Sequence, residues 1–210
     1  MNTPRRTVVL VHGLWYGAVS LRLLARRLES KGFDCHCFSY PTVRRSIAES
    51  AQRLYRYARN LDAEKLDFVG HSLGGLVILR MLDEYRGLPE GRLVLLGSPV
   101  SGSAVARRMA EWPIARGLIG RSRRILKSGF AHAPAERETG TLAGTQGMGL
   151  GRAIERLERP HDGTVSVVET RLPGSTDHLQ LPVSHTGLVL SASVAEQTAA
   201  FLRLGRFASR

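Results

Sequence analysis

Cysteine is nearly missing from this chain: 210 residues hold two, Cys35 and Cys37, a single position apart. In an extended segment, side chains at i and i+2 share a face but are poorly placed to bridge each other, so two reduced thiols are expected instead of a disulfide framework. Long apolar runs are missing too. The first, Thr7 to Val11, is interrupted by His12 and Gly13, too early for the apolar centre of a signal peptide, and no later window reaches the length that crosses a bilayer. The expected location is the cytoplasm. Phosphate-cradling and dinucleotide-binding glycine patterns are absent, as are internal repeats and low-complexity segments. Cys35, His36 and Cys37 lie too close in one extended stretch to surround an ion, so neither metal nor cofactor is expected.

Acidic residues are scarce, with 18 Asp and Glu against 30 Lys and Arg and a formal charge of +12. Such an excess would suit nucleic acid or an anionic membrane. The arginines, however, are spread along helix-like faces such as 21–28 and 50–60, the pattern of a solvated surface, and no nucleic acid partner is expected. Only Arg121, Arg123, Arg124 and Lys127 gather densely, and they are the one place where peripheral contact with an anionic membrane is anticipated.

What remains is the balance of a globular protein, 43% hydrophobic and 23% charged, with no linker to divide residues 1–210 into more than one domain. Short apolar runs alternate with amphipathic stretches. Strands are expected at Thr7–Val11, Phe33–Phe38, Leu66–Val69, Leu93–Leu96, Thr139–Gly144 and His178–Val183. Helices are expected over 16–30, 44–61, 74–85, about 105–128 and 187–204. This alternation predicts an α/β fold, doubly wound, with a mainly parallel sheet of about six strands and helices on both faces. In such sheets reactive residues belong just beyond the carboxyl ends of strands.

One segment meets that demand most clearly. From Leu66 an apolar strand runs into Gly70-His71-Ser72-Leu73-Gly74 and then into an apolar helix beginning near Gly74. A Gly-x-Ser-x-Gly turn between strand and helix strains the serine backbone, needs small residues at Gly70 and Gly74, and lifts the hydroxyl of Ser72 above the sheet at the positive end of the helix. The pattern occurs once in the chain.

Together with Val9-Leu10-Val11-His12-Gly13-Leu14-Trp15 and Leu181-Pro182-Val183-Ser184-His185, this segment resembles the α/β-hydrolases, and among them the compact bacterial lipases and esterases. Leu96-Gly97-Ser98-Pro99 is similar to the stretch that follows the next strand in many of them. The resemblance implies a minimal cap around 104–128 and an oxyanion hole formed by the backbone N–H groups of Leu14 and Leu73. Trp15 and His71 are candidates for the substrate pocket, whereas His12 is expected to organise its loop.

A serine hydroxyl needs a base, and the base needs a carboxylate. Of the histidines that follow the elbow, His185 comes directly after the last expected strand, whereas His178 begins that strand at the opposite edge. For the acid, Asp162 in the loop after Thr139–Gly144 is favoured over Asp177 and over Glu169, which falls on an expected short helix. The expected function is carboxylic ester hydrolysis through an acyl-enzyme on Ser72, with small-molecule or lipid esters as substrates. Acyl transfer or thioester cleavage would use the same residues, and a basic binding module without chemistry is the remaining alternative.

Overall fold

The computed structural model describes residues 6–102, 129–147 and 157–208. In chain order the elements are β1 (Thr7–Val11), α1 (Arg22–Glu29), β2 (Asp34–Phe38), α2 (Ile47–Arg59), β3 (Leu66–His71), α3 (Leu73–Glu84), β4 (Leu93–Leu96), β5 (Thr139–Gly144), β6 (Asp177–Leu181), α4 (Gly187–Leu190) and α5 (Ala192–Leu204), with 3-10 turns at Ala18–Leu21 and Val168–Thr170. All six strands join one sheet in the order β2-β1-β3-β4-β5-β6, and every pairing is parallel. Among the described residues the sheet is therefore wholly parallel, where a mainly parallel one was expected.

Because both faces of a parallel sheet are covered, its central strands read as unbroken apolar runs. Alternate side chains still divide between two layers. Val9, Val11, Leu66, Phe68, Leu93 and Leu95 pack with α2 and α3, while Val8, Leu10, Val69, Val94 and Leu96 pack with α1 and α5. The edge strands β2 and β6 are only half-buried along most of their length. Cys35 and Cys37 alternate on β2 and both lean on the α1 and α5 layer, free and half-buried, in keeping with two reduced thiols.

Local chemistry sets the element ends. α2 starts at a capping box: the hydroxyl of Ser46 accepts from the N–H of Glu49, whose carboxylate accepts from the N–H of Ser46 at 2.7 Å. α5 stops at Gly205, which takes a left-handed φ of 72°. Several expected boundaries move, three of them instructively. The helix expected over 16–30 begins as a 3-10 turn and becomes α-helical at Arg22. The last strand starts at Asp177 and ends at Leu181. The helix expected over 187–204 is two, parted at Ser191 with an extended ψ of 137°. The carbonyl of Leu190, which a continuous helix would use internally, instead accepts from the guanidinium of Arg27. The cap-like segment 104–128, with Arg121, Arg123, Arg124 and Lys127, lies outside the described residues.

Strand order places the site. From β1 the chain moves outward through α1 to β2, then crosses back through α2 to β3 on the other side of β1. The helices that follow β1 and β3 thus lie on opposite faces, and a crevice opens between the carboxyl ends of these two strands.

Candidate active site

Ser72 sits at that crevice, between the last residue of β3 and the first of α3. Its backbone has φ 54° and ψ −123°, a conformation that few non-glycine residues adopt. Its N–H donates to the carbonyl of Leu96 at 2.9 Å, which ties the turn to β4. Such strain persists only where the surroundings enforce it, and here the packing leaves no room for relaxation. A Cβ on Gly74 would lie 2.1 Å from the carbonyl oxygen of Val11, so α3 begins pressed against the end of β1. Gly70 faces Gly75 instead of Gly74: a Cβ there would stand 2.5 Å from the Cα of Gly75. Gly75 in turn abuts Ser98, with 2.1 Å left for a Cβ beside its hydroxyl. The second glycine of Gly74-Gly75 is therefore a third member of the elbow, and the doubled glycine in the sequence was its signal.

Leu73 opens α3, and the first N–H groups of a helix have no internal partner. Leu14 lies in the turn after β1, where the N–H of Tyr16 returns to the carbonyl of Gly13 at 3.3 Å. This turn rests on the elbow, since a Cβ on Gly13 would be 3.0 Å from that of Ser72. Trp15 takes φ 60°, half-exposed, with its N–H donating to the hydroxyl of Thr42 at 3.3 Å. His12 is buried as a loop organiser. Its Nδ1 donates to the carbonyl of Gly13, its Nε2 accepts from the N–H of Tyr40, and its ring stacks on that of Tyr40 with centroids 4.6 Å apart. Burial lowers its pKa, outweighing the backbone hydrogen bond that raises it.

Asp162 and His185 meet although 23 residues separate them. The Nδ1 of His185 donates to Oδ2 of Asp162 at 2.7 Å, and both side chains are nearly sealed from solvent. The other carboxylate oxygen accepts from the N–H groups of Thr164 and Val165 at 2.9 and 2.8 Å. The N–H of His185 also returns to the carbonyl of Asp162 at 2.9 Å. The two loops are thus locked together by main chain and side chain alike. Space for the pair comes from Gly97, at the end of β4 with φ 56°, where a Cβ would fall 3.1 Å from Oδ2 of Asp162 and 3.3 Å from Nδ1 of His185. In the sequence, Gly97 stands within the Leu96-Gly97-Ser98-Pro99 stretch. Its only signal was a glycine directly after a strand.

Asp177 is at the far edge. It heads β6, where its carboxylate accepts from the N–H groups of His178 and Phe207. Glu169, on the 3-10 turn, accepts from the N–H of Ser166. His178 pairs with the hydroxyl of Thr141 at 2.7 Å, and neither it nor Asp177 shares a contact with His185.

One expectation needs correction. His71 does not line an open pocket: it is fully buried, enclosed between the rings of Tyr16 and His185 at centroid distances of 5.5 and 4.7 Å. It is the last residue of β3, and its ring packs among Tyr16, His185 and Gly13.

A strained serine on a strand-to-helix turn, set at the switch point of a parallel sheet, defines the class of α/β proteins built around a nucleophile elbow. Comparison narrows this. The sequence profile of the alpha/beta hydrolase family matches residues 8–203, and the chain belongs to that family. Among solved structures it superposes on a Bacillus licheniformis lipase in its propeptide form with a TM-score of 0.72 and 20% identity, over 100% of this chain and 53% of that one. A metagenomic carboxyl esterase matches with a TM-score of 0.66 and 20% identity over 88% of this chain and 66% of that one. The type II thioesterase of the borrelidin biosynthetic cluster gives 0.67 and 16%, over 96% and 94%. These identities speak for a shared fold. The chain spans about half the length of the lipase. Among the described residues, no helix is long and apolar enough to cross a membrane.

Proposed function

We propose that this chain is a serine hydrolase of carboxylic esters, working in the cytoplasm, with Ser72 as nucleophile, His185 as base and Asp162 as the carboxylate that orients it. The observation that carries the reading is the Asp162–His185 pair, whose imidazole lies against the ring of His71, the residue next to Ser72. With Nδ1 committed to Asp162, Nε2 of His185 is the nitrogen left to take the hydroxyl proton. The hydroxyl oxygen of Ser72 then bonds to the ester carbonyl carbon, and the negative charge moves to the carbonyl oxygen. Backbone N–H groups of Leu14 and Leu73 stabilise that oxygen. His185 returns the proton to the departing alcohol, and water repeats the sequence to release the acid.

The substrates proposed are small-molecule or lipid esters, with Trp15 at the border of the acyl pocket. The test is labelling with a fluorophosphonate probe combined with hydrolysis of p-nitrophenyl butyrate. Wild type should label and turn over, while Ser72→Ala and His185→Ala should do neither. Labelling that persists in Ser72→Ala would place the nucleophile elsewhere. Turnover confined to acyl thioesters in a competition assay would replace the oxygen ester by a thioester.

A further inference from the structure

A buried histidine directly before the nucleophile has no part in the proton transfers just described, yet it touches the base. The Nε2 of His71 lies 3.1 Å from the carbonyl oxygen of His185. A carbonyl can only accept, so Nε2 carries the proton, and Nδ1 is a bare lone pair that is buried and, among the described residues, without a partner. The ring is fixed from three sides. Tyr16 meets it edge-on, and the phenol of Tyr16 reaches the hydroxyl of Thr186, the neighbour of His185, at 3.0 Å. His185 packs against a second side at 43°. Gly13 closes the third, where a Cβ would lie 3.2 Å from Nδ1.

We propose that His71 is a positioning residue: its Nε2–H, donating to the carbonyl of His185, fixes the main chain that carries the base at the distance the serine hydroxyl requires. The inference rests on the hydrolase reading above. Ser72 and His71 are adjacent on the rigid end of β3, while His185 comes from a loop following the half-buried edge strand β6. The hydrogen bond is a direct tie between those two pieces of chain, one residue from the nucleophile on one side and at the base itself on the other.

The same burial keeps the tie uncharged. Enclosure pushes the pKa of His71 well below the ordinary value, and a positive His185 or His12 pushes it further down. The ionisable groups that face it are His185 from the loop after β6, His12 from the end of β1 and the phenol of Tyr16. A neutral donor at this place leaves the imidazolium that forms on His185 during the reaction without a like charge beside it. Asp162, on the far side of His185, remains its only close counter-charge among the described residues.

Three substitutions separate positioning from packing. His71→Leu removes the donor, His71→Asn keeps an amide too short to reach the carbonyl, and His71→Gln places an amide N–H close to where Nε2–H stands. With p-nitrophenyl butyrate, kcat should fall tenfold or more in His71→Leu and His71→Asn, since small displacements of a base are costly, while KM stays within about twofold. His71→Gln should recover most of kcat, to within about threefold of wild type. Thermal melts run alongside. If His71→Leu does not fold, the comparison of His71→Gln with His71→Asn decides alone. Equal activity in those two, a loss carried by KM, or melting of all three below the assay temperature would each overturn the proposal. Ser72→Ala and His185→Ala keep the two readings distinguishable. Activity in either would remove the hydrolase reading itself, whereas their inactivity beside a wild-type kcat in His71→Leu would remove only the role of His71.

Discussion

Asp162 shows how much one carboxylate can be asked to do in a buried place. One oxygen accepts two main-chain N–H groups and the other accepts Nδ1 of His185. Replacing it by asparagine would leave a side chain able to satisfy the backbone donors but unable to hold the imidazole in the required tautomer with a balancing charge. In the proposed mechanism, Asp162→Asn should lower kcat by roughly three to four orders of magnitude with the fold intact. Asp177→Asn should leave kcat near wild type, because among the described residues the carboxylate of Asp177 accepts from the N–H groups of His178 and Phe207, at the far edge of the sheet. Steady-state kinetics on the two variants checks this, and equal losses would leave the carboxylate unassigned.

At the scale of elements, α2 and α3 serve the fold in different ways. α2 contributes to the core through Ile47, Ala51, Leu54 and Ala58, and its capping box is made by Ser46 and Glu49 between themselves. Ser46→Ala removes the acceptor for the N–H of Glu49 and the donor to its carboxylate. The expected loss is about 1 kcal/mol of stability by urea denaturation, with kcat/KM unchanged. A fall in kcat/KM larger than the loss of folded protein would show that α2 reaches the site. The elbow behaves differently: α3 cannot shift without driving Gly74 into β1 or Gly75 into Ser98. Its rigidity is that of the whole switch point.

Over the whole molecule, three arginines are used within the fold. Arg6 forks onto buried Asp67, with Nε donating to Oδ2 at 2.7 Å. Arg92 pairs with Glu138 and donates to the carbonyls of Leu202 and Arg203 at the end of α5. Arg137 lies over the ring of Phe68 and donates to the carbonyls of Leu66 and Pro89. A planar fork of always-charged donors suits such carbonyl clusters better than lysine does. Histidine gives the molecule its acid sensitivity. His12, His71 and His178 all have pKa values lowered chiefly by burial. Below the ordinary histidine pKa the unfolded chain binds protons at these sites while the folded chain does not, so stability is full above about pH 6.5 and falls as pH drops below it. The melting temperature should decline between pH 7 and pH 5, and the decline should be shallower in His71→Gln. A flat melting curve over that interval would contradict the buried neutral state of these rings.

The sequence by itself determined the parallel α/β sheet and the glycine-bounded turn at Ser72, and it pointed to the proposed His185 and Asp162, because each is written in local terms: apolar runs bounded by turns, glycines around a serine, a histidine or aspartate after a strand. The boundaries were less legible: the helix parts at Ser191, where the carbonyl of Leu190 accepts from Arg27, a residue far away in the chain. Tertiary structure showed why Gly75 and Gly97 are needed: Ser98 stands against the first, and Leu188, Asp162 and His185 against the second. It also buried His71 between Ser72 and the carbonyl of His185, because burial and a carbonyl 114 residues later in the chain belong to the packed chain and to no window of sequence.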